Sequence, residues 1–109
     1  MGSELQWDAE SAAYIRIRGR GDRYPGADGV EPDWTQEVMS DVDLLAFDPD
    51  PKSRMGAARI IGWSPTAGLV LVVIAYRDLD GDLHGINAWP ATGNDLRIFE
   101  KGIDHGEEN

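Results

Sequence analysis

The chain of 109 residues is the length of one domain, and 41% hydrophobic residues with four tryptophans supply the material for a core of its own. It has no cysteine, which excludes disulfides, thiolate metal sites and thiol chemistry and leaves His84 and His105 as its only imidazoles; no metal or cofactor is expected. Ten basic against twenty acidic side chains give a net charge of -10, which opposes phosphate backbones and favours basic partners. The longest apolar run, Leu69 to Ala75, is far short of the ~20 residues a membrane span needs, and the first residues show no signal-peptide pattern. The expectation is a cytoplasmic single domain over residues 1–103 with an acidic tail over 104–109.

Glu4 to Trp7 reads as a short first strand. Asp8 is a fitting N-cap for a helix that runs to Arg18 and stops at Gly19. Tyr14 to Arg18 also alternates like a strand, but the alanine-rich stretch before it favours the helix. Gly19 to Val30 is a glycine-rich loop, long for a compact domain. A second helix begins at Pro32 and ends near Asp41, with Trp34, Val38 and Val42 recurring every four residues.

Four strands follow, over 43–47, 59–63, 69–77 and 83–89. The loop from Ser64 to Gly68 and the Asp80-Gly81 pair make hairpins of the last three. The strand from Leu69 to Ala75 is apolar without alternation, which predicts a central strand covered on both faces, and Pro90 ends the sheet. A last helix spans Asn94 to Lys101, with Leu96 and Phe99 on one face and Gly102 as its stop. The order predicts an α+β fold in two layers, an antiparallel sheet with two N-terminal helices and one C-terminal helix.

Several segments, in chain order, resemble one family. Leu5-Gln6-Trp7-Asp8 before a helix, Ala58 to Trp63, Gly68 to Ile74, Ile86 to Ala91 and Arg97-Ile98-Phe99-Glu100 are similar to the motifs of BrnT-type toxins. That resemblance implies a compact RelE-like fold, messenger-cleaving endoribonuclease activity, and inhibition by a small ribbon-helix-helix antitoxin. It leaves self-association into a homo-oligomer open. The chain departs from the pattern at Trp89 and Pro90, where the family has basic residues, and at His84, where it often has arginine. The connection from Asp22 to Pro32 is also longer than usual.

RNA cleavage without a metal needs cations at the scissile phosphate and a group that moves the 2'-hydroxyl proton. Arg59 begins one strand and Arg77 ends its neighbour, so pairing across the 64–68 turn would bring both guanidiniums to one end of the sheet. His84 is the candidate proton-transfer group; His105, in the tail, is not. The alternative for the arginines is ordinary strand-end pairing with nearby acids. Arg16, Arg18, Arg20 and Arg23 form a basic cluster suited to RNA or to a partner's docking segment that also covers Arg59. The resemblance adds Arg97 and Trp89 to that binding surface. Trp7, Trp34 and Trp63 are read as core, and Trp89 as core or surface anchor. Asp78, Asp80 and Asp82 lack the glycine and closing glutamate of a calcium loop, and a turn explains them. An acidic protein-interaction module that kept the fold without the chemistry is the alternative function.

Overall fold

The computed structural model describes residues 5–18 and 29–108, as backbone alone from residue 103 onward. The chain runs β1 (Leu5–Gln6), α1 (Ala9–Arg18), α2 (Pro32–Met39), β2 (Leu45–Phe47), β3 (Ala58–Ser64), β4 (Leu69–Arg77), β5 (Leu83–Pro90) and α3 (Gly93–Glu108). The glycine-rich connection expected from Gly19 falls, through residue 28, outside the described residues.

Asp8 caps α1 as its residue type predicts. Its Oδ1 accepts the Ser11 N–H at 2.7 Å, and its carbonyl accepts that of Ala12 at 3.0 Å. α1 continues to Arg18, so residues 14–18 are helical and not a strand, with Ile15 buried.

The five strands form one sheet in the order β1-β5-β4-β3-β2, with β4 in the centre. β2 to β5 pair antiparallel, but β1 runs parallel to β5, so the sheet is mixed rather than antiparallel. Gly85 makes this junction by admitting the Trp7 ring over β5: a Cβ there would lie 2.4 Å from the indole. Trp7 in turn donates to the buried Thr35 hydroxyl at 2.9 Å, which ties β1 to α2.

Two apolar clusters fill the two faces. Ile60, Leu71, Val73 and Ala75 pack with Ile15 of α1 and Val38 of α2, whereas Ile61 and Val72 pack with Phe99 of α3. Successive strand residues point to opposite faces, so α1 and α2 cover one side and α3 the other. The fold is α+β as predicted, but the expected two layers become three. The reason lies in β4, where Leu71, Val72 and Val73 are all fully buried. A two-layer sheet would leave every second one in water, at roughly 1.5–3 kcal/mol each.

Three further expectations are corrected. α2 ends at Met39 with Ser40 as its C-cap, so Val42 lies past the helix and is 95% exposed. α3 continues through Gly102 to Glu108; Gly102 is helical instead of stopping the helix, and a Cβ there would make only ordinary contact, 3.6 Å from the Leu45 side chain. Trp63, expected in the core, is 42% exposed.

Candidate functional site

β3 begins and β4 ends at the same edge of the molecule, because Ala58 faces Ala75 across the ladder. Arg59 lies one residue along, on the α3 face, stacked over the Phe47 ring at 4.6 Å. Its Nε meets Asp50 at 3.0 Å, and its Nη1 pairs with Asp95 in the first turn of α3. The side chain is only 11% exposed. Asp50 is itself buried, fixed by its own turn: it accepts the Lys52 N–H at 3.1 Å, and its backbone N–H bonds Ala57 at 2.8 Å. The guanidinium therefore cross-links the β2–β3 connection, the sheet and α3.

Arg77 is in a different condition. It is 45% exposed, pairs with Asp48 at 3.0 Å and donates to the Gly81 carbonyl at 2.7 Å across the hairpin turn. Both arginines are thus engaged by carboxylates of the same β2–β3 connection, the ordinary strand-end pairing named as the alternative.

His84 stands opposite Tyr76 on the neighbouring strand, the rings stacked at 4.9 Å between centroids. Its Nε2 lies 2.6 Å from Asp78 Oδ2. The hydrogen bond from His84, followed by the N–H of Asp82, holds the Asp78 carboxyl below its usual range. Asp78 Oδ1 also accepts the N–H groups of Asp80 and Asp82 at 2.9 and 3.0 Å. Although carboxylate oxygens of all three aspartates come within 4.8 Å of one another, hairpin geometry accounts for Asp78. The Asp78–His84 pair adjoins Arg77, which faces Leu83 in the ladder.

Among the described side chains, the expected binding residues fall on opposite sides of the sheet, Arg16 with α1 and Arg97 and Trp89 with α3. Arg16 is exposed on α1 and pairs with Glu31 at 3.0 Å. It projects from the helix layer on the face opposite Arg59, so one docking segment would have to reach around the sheet to cover both. Arg18 is described as backbone alone, and Arg20, Arg23 and His105 lie outside the described residues or side chains. Arg97 is exposed on α3, and Trp89 is half-buried against the Ile61 and Val72 cluster.

Sequence reasoning missed the fixed carboxylates of α2 and its C-terminal turn. Glu37 accepts the Ser64 hydroxyl at 2.6 Å and the Thr66 N–H at 3.0 Å, and Asp41 Oδ2 accepts the Trp63 N–H at 2.8 Å. The hydroxyls of Ser64 and Thr66, then the Thr66 N–H, lower the Glu37 pKa. The nearest signal in the sequence is the four-residue spacing of Asp33, Glu37 and Asp41, which puts acids on one face of α2 and the turn after it.

No helix among the described residues is long and apolar enough to cross a membrane. No protein-family model matches the chain, and no curated protein matches it either.

Proposed function

We propose that this chain is the toxin-like member of a two-component toxin–antitoxin module, with the compact RelE-like architecture, and that its activity is binding a basic protein partner rather than cleaving RNA. The state of Arg59 carries this reading. The resemblance would place this cation on a scissile phosphate, yet its guanidinium is shared between Asp50 and Asp95 inside the fold. A phosphate oxygen offers it no more charge than either carboxylate, and displacing them would strand the buried Asp50, at a cost of about 3–5 kcal/mol. The strand, helix, helix, four strands, helix order supports the toxin-like part, and the net charge of -10 supports a basic partner over a nucleic acid.

A second reading, endoribonuclease, is favoured by one observation: the Asp78–His84 pair beside the half-exposed Arg77. With Asp78 on Nε2, the other ring nitrogen of His84 would take the 2'-hydroxyl proton.

Controlled expression in a bacterium, with and without the adjacent small gene, separates the two. Binding-module behaviour is unhindered growth and co-elution of a small basic neighbour-encoded protein with the tagged chain. Growth arrest abolished by His84→Gln and Arg77→Ala would establish the ribonuclease instead. Neither arrest nor a co-eluting neighbour would overturn both readings.

A further inference from the structure

Trp63 is 42% exposed, whereas Trp7, Trp34 and Trp89 are half-buried. Its ring stands between two concave surfaces. One, of about 490 Å3, lies toward α2 and has Glu37, Asp41, Val42 and Pro65 among its walls. The other, of about 280 Å3, lies toward α3 and is walled by Asp43, Val70, Phe99 and Glu100. Among the described residues, four carboxylates line the two and no lysine or arginine does.

The ledge is built rigidly. β2 pairs with β3 only as far as Ile61, and beyond that point the Asp41 carboxylate takes the Trp63 N–H in place of a strand neighbour. Glu37 fastens the following turn through Ser64 and Thr66. The carboxylates of Asp43 and Glu100, by contrast, have no hydrogen-bond or ion-pair partner among the described residues. An exposed indole, two unspent carboxylates and the apolar Val70 and Phe99 of the same concave surface together match one side chain. A guanidinium stacks flat on indole while its edge donates to carboxylates, and its aliphatic stem covers apolar walls.

We propose that this ledge docks an arginine-bearing segment of a basic protein partner, with the guanidinium on Trp63 and its N–H groups directed to Asp43 and Glu100. The proposal rests on the binding-module reading and deepens it by naming the partner's chemistry. Because Asp41 and Glu37 already hold the Trp63 backbone and the turn after it, the strand segment that carries the ring is set before the partner docks.

The test titrates the isotope-labelled chain with an acetylated nonapeptide of alternating arginine and glycine. Its citrulline counterpart keeps the shape and N–H groups without the charge. The Trp63 indole N–H signal should shift and saturate with the arginine peptide and stay in place with the citrulline one. A lysine version should bind at least threefold more weakly. Trp63→Leu should weaken binding at least fivefold, and so should the Asp43→Asn, Glu100→Gln pair, whose exposed positions leave the fold intact.

Unchanged affinity in these variants, absence of binding, or shifts centred on the Asp78–Asp82 turn would overturn the proposal. Concentration-dependent broadening at Trp63 without peptide would assign the ledge to a second copy of the chain and overturn it too. A neighbour-encoded partner that co-elutes equally with the Trp63→Leu chain would refute the ledge while sparing the module reading. Saturable peptide binding with no such partner would do the reverse.

Discussion

Arg59 and Arg77 leave the same end of the sheet, 11% and 45% exposed respectively, and that difference decides what each contributes. Removing the Arg59 side chain would leave Asp50 buried with its charge unmatched and would strip the cation from the Phe47 ring. Arg59→Ala should therefore lower stability by about 3–5 kcal/mol, the range for breaking a buried pair from one side. Arg77→Ala removes a solvent-screened pair and one exposed hydrogen bond, and should cost under about 1 kcal/mol. Urea unfolding of both variants checks the contrast. Equal, small losses would mean that Arg59 is free for a ligand and would undercut the argument against its phosphate role. The sequence placed both arginines at one sheet end by strand pairing. It held no signal of their partners, because Asp48 and Asp50 reach them through the β2–β3 connection and Asp95 from the far end of the chain.

At the scale of elements, β4 was legible end to end because a continuous apolar run has few alternatives, and strand geometry then puts Val70, Val72 and Ile74 on one face and Leu71 and Val73 on the other. Val72→Asp would put a charge between Ile61 and Trp89, its neighbours on the flanking strands, and should unfold the domain at a cost of several kcal/mol. A cooperative melt like that of the unmodified chain would place this segment outside the core. What the run could not show is which helix covers which side, since periodicity within α3 marks an apolar face without naming the sheet face it meets.

The α2 clamp was illegible for a related reason: Glu37 and Thr66 are 29 residues apart and meet only once β3 has turned into β4. Hydrogen bonds to its ionised form hold the folded Glu37 pKa below the unfolded one. Its contribution is therefore complete above the ordinary glutamate value of about 4.3 and is lost as pH falls through the lowered folded value. Asp8 and Asp78 are lowered in the same direction, by the Ser11 N–H at the cap and by His84 at the turn. Stability should decline in acid, and Glu37→Gln should flatten part of that decline while lowering stability near neutrality. Parallel pH profiles of the variant and the parent would show that the clamp contributes nothing.

For the molecule as a whole, the net charge of -10 sets two electrostatic effects against each other. Added salt weakens attractive pairs such as Arg16–Glu31 and Arg77–Asp48, but it also screens repulsion among the surplus acids. The radius of gyration is 13.6 Å. At 10 mM salt the screening length of about 30 Å spans the molecule, so every acid repels every other; at 150 mM it is about 8 Å and only neighbours interact. The long-range repulsion is thus removed almost entirely, while ion pairs at 3.0 Å keep most of their attraction. Repulsion wins the comparison, and the melting temperature should rise by a few degrees as sodium chloride goes from 10 to 150 mM. The same screening should weaken the arginine peptide at the Trp63 ledge, so that binding and stability move in opposite directions with salt. A melting temperature that falls instead would show that local pairs outweigh the net charge.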